Sequence, residues 1–113
     1  MAIECTEQER RLTVHLTGEI DHHAARSIML ALDGEIAARF PREVVLDFSG
    51  VSFMDSSGIA VVLRTCRRMQ EVGGKLRAVN VPEQAAKVLR AAGVERMVPL
   101  TYLRQRREQE ATL

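Results

Sequence analysis

Apolar residues change their spacing several times along the chain, and each change predicts an element. Leu12, Val14 and Leu16 alternate with Thr13, His15 and Thr17, the period-two pattern of a strand with one buried face. A shorter segment at residues 3–6 precedes it, so the pair reads as antiparallel strands joined through Glu7-Gln8-Glu9-Arg10. Residues 18–21 are expected to turn, with Asp21 capping a helix that carries Ala25, Ile28, Met29, Leu32 and Ile36 on one face and stops at Phe40-Pro41. Residues 44–48 form a continuous apolar run, expected as a strand covered on both faces. From Ile59 the spacing turns helical again through Val62, Leu63, Cys66 and Met69, which predicts a helix over residues 57–72 stopped by Gly73-Gly74. A strand follows at 76–79. Pro82 then opens a third helix with Ala85, Val88, Leu89 and Ala92 on its stripe, ahead of an edge strand within 97–103 and a weak helix at 104–110.

The order β-β-α-β-α-β-α-β-α predicts an α/β fold with a mixed sheet, in which residues 44–79 make one right-handed crossover. Sheets of this kind place their sites beyond the carboxyl ends of the strands, which points to residues 49–58. A length of 113 residues leaves room for one core. The chain is therefore expected to be a single domain over 1–113, with its core at about 3–103 and a polar tail at 104–113.

At that predicted site lies Asp55-Ser56-Ser57-Gly58, where a strand hands over to a helix and one of the three polar residues is expected to be the N-cap. A serine cap is worth about 1 kcal/mol against alanine, and capping alone would account for it. The longer sequence Val45-Leu46-Asp47-Phe48-Ser49-Gly50-Val51-Ser52-Phe53-Met54-Asp55-Ser56-Ser57-Gly58 nevertheless resembles the signature of STAS domains, in particular the stand-alone anti-sigma factor antagonists of bacteria. A second block, Leu16-Thr17-Gly18-Glu19-Ile20-Asp21-His22-His23-Ala24, is similar to a loop of the sporulation-type antagonists, and the likeness runs from about residue 3 to about 102.

The resemblance implies a single STAS domain that acts by binding and carries no catalytic residues. It implies an anti-sigma factor serine kinase with bound ADP or ATP as partner, release of a sigma factor when that kinase is captured, inactivation by phosphorylation of Ser56, and reversal by a PP2C-type serine phosphatase. It further implies partner contacts at Glu19, Asp21, His22, Asp55, Ser56, Ser57 and Gly58. A phosphate would bring a charge of about −1.5 to −2 to a helix end expected to offer free N–H groups. A STAS scaffold in a stress-signalling complex is the alternative within the same fold.

Composition removes other classes. The N-terminus has no apolar signal core and no run reaches membrane length, so a cytoplasmic protein with no membrane partner is expected. Net charge is +1; Arg64, Arg67 and Arg68 are assigned to a solvated helix face, and the few aromatics (Phe40, Phe48, Phe53, Tyr102) make no nucleic-acid site. Adjacent His22 and His23 lack further ligands at useful spacing, so neither metal nor cofactor is expected. Cys5 and Cys66 read as free thiols. A serine hydrolase would need a Gly-x-Ser-x-Gly elbow, which neither Ser52 nor Ser56 supplies. A receiver phosphorylated on Asp47 would, by resemblance, need a lysine placed where Lys75 and Lys87 do not fit.

Overall fold

The computed structural model describes residues 2–104. Strand β1 (Ala2–Gln8) turns through Glu9 and Arg10, both with positive φ, into β2 (Arg11–Ile20). Two consecutive left-handed residues give the hairpin the twist that antiparallel strands need. Helix α1 (His22–Arg39), β3 (Glu43–Met54), α2 (Ser57–Glu71), β4 (Lys75–Val81) and α3 (Glu83–Ala91) follow, then a 3-10 turn at Val94–Arg96 and β5 (Leu100–Tyr102). The sheet runs β1-β2-β3-β4-β5, antiparallel in its first pair and parallel thereafter. This is the expected mixed α/β architecture. The proposed helix at 104–110 lies outside the described residues apart from Arg104, which is not helical.

Several boundaries differ from the sequence reading, and sheet pairing explains them. Residues 18–20 do not turn: β2 continues to Ile20 because Gly18, at φ 92°, takes up a register shift while the strand stays paired with β3. Residues 49–54 are not a loop either, since the same pairing holds them in strand out to Met54. A Cβ at Gly50 would lie 2.6 Å from Thr17 Cγ2, so glycine is what allows β3 to pass β2 there. The site thereby contracts to residues 55–58. Ala92 is exposed, and Ala86 takes its place beside Ala85 and Leu89. The predicted edge strand shortens to Leu100–Tyr102.

One core joins all three helices to the sheet, through Leu12, Val14, Leu16, Ile28, Leu32, Leu46, Phe48, Met54, Val62 and Leu89 among others. Arg64 on α2 reaches Asp33 on α1 at 2.7 Å, as suits a solvated face. Cys66 is buried and Cys5 half-buried, both free. β3 buries Val44, Leu46 and Phe48 against the helices, and on its other face Val45 is also buried, between polar pairs made by Glu43 and Asp47. Glu43 meets Arg11 at 2.6 Å and Arg77 at 3.3 Å. Asp47 accepts from the Ser49 N–H at 3.0 Å and the Asn80 amide at 3.2 Å, and lies 2.9 Å from His15 Nδ1.

Partial burial on its own would raise the Asp47 carboxyl, but the bonds from Ser49, Asn80 and His15 outweigh it and hold the group below the usual carboxylate range. Its pKa is therefore lower folded than unfolded. The stabilisation is fully present above the unfolded value of about 3.9 and disappears as pH falls through the folded one. Asp47→Asn is expected to flatten the loss of stability between about pH 5 and pH 2, measured by urea unfolding across that range. An unchanged slope would show that the Asp47 bonds contribute nothing net.

Candidate functional site

The end of the molecule at the carboxyl ends of β2 and β3 brings together two segments more than thirty residues apart in sequence. Ile20 and Met54 are register partners, and the Asp55 N–H donates to the Ile20 carbonyl at 3.1 Å. Each strand therefore releases an acidic residue at the same level: Asp21 from β2 and Asp55 from β3. Asp21 is the N-cap of α1 and accepts from the Ala24 N–H at 2.8 Å. That bond holds its exposed carboxyl below the usual range. Glu19, Asp21 and His23 line a shallow recess with Ala24 and Ser27, while His22 is exposed beside it in the first turn of α1.

At α2 the capping is divided in a way the sequence does not reveal. Ser56 occupies the N-cap position, but its side chain makes no capping hydrogen bond. Asp55 caps instead, its carboxylate accepting from the Ser57 N–H at 2.8 Å. The Gly58 N–H donates to the Asp55 carbonyl and the Ile59 N–H to the Ser56 carbonyl, both at 3.1 Å. The first-turn donors expected to be free are thus already taken, and the Ser56 hydroxyl is exposed and outside the capping scheme. Ser57 is half-buried and Gly58 buried, where a Cβ would fall 2.2 Å from Met54 Sδ. Gly58 belongs to the site by letting α2 start directly against β3.

Two further residues hold or border this end and carry no sequence signal for doing so. β3 and β4 stay paired only as far as Asp47 and Val79, which leaves the last part of β3 without a strand on that side. Gln84 of α3 fills part of the gap: its side-chain Oε1 accepts from the Met54 N–H and its Nε2 donates to the Met54 carbonyl, both at 2.8 Å. The carboxamide mimics a neighbouring peptide group one residue before Asp55. Phe53, 44% exposed, is the register partner of Glu19.

Residues 2–108, nearly the whole chain, match the STAS domain family. The protein is a STAS-domain protein. An anti-sigma F factor antagonist of Paenibacillus polymyxa is 29% identical over 100 residues, covering 88% of this chain and 86% of that one. The solved structure of the anti-sigma factor antagonist SpoIIAA in its unphosphorylated form superimposes with a TM-score of 0.77 at 26% identity, covering 98% of this chain and 95% of that one. The Bacillus cell fate determinant SpoIIAA in its phosphorylated form gives 0.70 at 25% identity, with 98% of each chain covered. Among the described residues of this STAS protein no helix is long and apolar enough to cross a membrane.

Proposed function

We propose that this STAS protein is an anti-sigma factor antagonist: it captures an anti-sigma factor that is also a serine kinase, frees a sigma factor, and is switched off when Ser56 is phosphorylated. The observation that carries the reading is the state of the Ser56 hydroxyl. It sits at the N-terminus of α2, exposed, with its capping duty taken over by Asp55, so modification sacrifices no native hydrogen bond at the cap. Family membership and likeness to SpoIIAA in both phosphorylation states support the same conclusion.

The mechanism follows from charge and geometry. A kinase must bring the Ser56 hydroxyl in line with the terminal phosphoryl group of its nucleotide, so its docking surface already holds phosphate charge at that point. The unmodified hydroxyl fits there as a neutral group. After transfer, a phosphoserine would face the remaining nucleotide phosphates, and like charges brought together in a desolvated interface cost several kcal/mol. Glu19 and Asp21 are the proposed partners for arginines of the kinase. A PP2C-type serine phosphatase would restore the neutral surface, and this chain supplies no catalytic group to either reaction.

Incubation with each ATP-binding anti-sigma factor of the same genome, with ATP, followed by intact-mass analysis and site mapping, tests the reading. One added phosphate on Ser56 is expected from a cognate kinase. Labelling of Ser57 in place of Ser56 would overturn the assignment.

A further inference from the structure

We propose that Phe53 is the apolar anchor of the partner-docking surface, inserted into an apolar pocket of the anti-sigma factor whose rim carries lysine or arginine. The inference rests on the antagonist reading and goes beyond it by naming the anchoring side chain and the chemistry of the complementary surface. The register of β2 and β3 places Phe53 beside Glu19, and the next register pair, Ile20 and Met54, is fully buried. Side chains alternate along a strand, so Phe53 and Glu19 share the face away from the helical core. Phe53 is also only three residues from Ser56, at most about 11 Å along the chain. A partner surface that reaches the hydroxyl and extends over the end of β3 would also cover the ring.

Three features make this phenyl group more than an incidental exposed residue. Its backbone is fixed on both sides: Glu19 is its strand partner, and Gln84 clamps the adjacent Met54 through two hydrogen bonds of 2.8 Å. A backbone held this way loses little freedom on docking, which lowers the ordering cost of using its side chain as an anchor. The charges nearest the ring in sequence and register are of one sign, the first cations beyond them being Arg26 on α1 and Arg64 on α2. Residues 12–25 and 44–63 contain no lysine or arginine, and their acids are Glu19, Asp21, Asp47 and Asp55 in a chain whose net charge is +1. An apolar centre bordered by carboxylates fits a partner pocket bordered by cations. The recess lined by Glu19, Asp21 and His23 lies on the Glu19 side of the ring, where those cations would sit, away from the nucleotide phosphates that meet Ser56.

The test measures affinity of the full chain for the cognate anti-sigma factor with ADP bound, for the unsubstituted protein, Phe53→Ala, Phe53→Leu and Glu19→Lys, with thermal unfolding of each. Phe53→Ala is expected to weaken binding about thirtyfold or more, with an unfolding midpoint close to that of the parent, whereas Phe53→Leu recovers most of the loss. Glu19→Lys should slow association and reduce its dependence on salt. Should the parent and Phe53→Ala bind equally well, this inference fails while the antagonist reading stands. If no anti-sigma factor binds the parent, both fall together.

Discussion

Phosphorylation of Ser56 is expected to weaken binding to the anti-sigma factor about a hundredfold, equivalent to about 2.7 kcal/mol, while leaving the domain folded. The two halves of this expectation have separate causes. Within the domain, the positive end of the α2 dipole returns about 0.3–2 kcal/mol to a nearby anion. Against it, a dianion about 6 Å from the Asp55 carboxylate is repelled by about 1.4 kcal/mol at the dielectric of water, and by roughly 5 at an effective value of 20. Because Asp55 and the two carbonyls already occupy the first-turn N–H groups, the phosphate gains no ready donors to tip that balance. Its exposed position favours the solvent-screened end of the range, so the two contributions nearly offset one another and α2 persists.

At the interface the same charge is desolvated and unmatched. Ser56→Asp, with one charge instead of two, should lose at least about tenfold in affinity, and Ser56→Ala should bind like the parent and resist phosphorylation. The alanine variant should also unfold at nearly the parent midpoint, because the hydroxyl makes no capping bond; a loss near the usual 1 kcal/mol of a serine cap would contradict that. Titration calorimetry combined with thermal unfolding separates the two effects. A fall in the unfolding midpoint of Ser56→Asp by more than about 10 °C would mean that the switch works by melting the helix.

The largest expected effect on stability belongs to the contact between Gly58 and Met54. Met54 is fully buried, and a Cβ at position 58 would lie 2.2 Å from its sulfur and 2.4 Å from its Cγ. Gly58→Ala must push a packed side chain aside, which typically costs about 1–3 kcal/mol. Met54→Ala alone removes a buried side chain, at about 2–5 kcal/mol. Together they should cost less than the sum by about 1 kcal/mol or more, because the smaller residue at 54 admits the new methyl group. Urea unfolding of the four proteins of this cycle measures the coupling. Additivity within about 0.5 kcal/mol would show that Met54 yields without strain and that glycine at 58 serves the partner instead of the fold.

The change from a strand run to helical spacing identified residues 55–58 correctly as lying where a strand hands over to a helix, yet it could not show which polar group does the capping. Asp55, Ser56 and Ser57 are all acceptable residues at a helix start. The choice depends on where β3 ends, and that is set by Ile20 accepting the Asp55 N–H from across the sheet. Glycines at 18 and 50 look like turn residues when read locally. Here Gly18 carries a register shift and Gly50 permits close passage of β2, so two apparent turns become strand. Gln84 was invisible for the same reason: an exposed polar residue near a helix start has no periodic signature, and its role exists only because β4 diverges from β3 after Asp47.

Local interactions dictated the succession of elements. Alternation, helical spacing, the Asp21 cap and the Gly73-Gly74 stop all act within a few residues, so they can be read from a linear string. From the string alone also came the α/β class, the likeness to STAS domains and the proposal of Ser56 as the acceptor. Tertiary structure decided how far the strands run, that the Ser56 hydroxyl is spare while the surrounding N–H groups are occupied, and that Phe53 and Glu19 stand together at the same end. These outcomes rest on pairings between residues some thirty positions apart, whose free energy is realised only once the sheet has formed and burial has chosen its register.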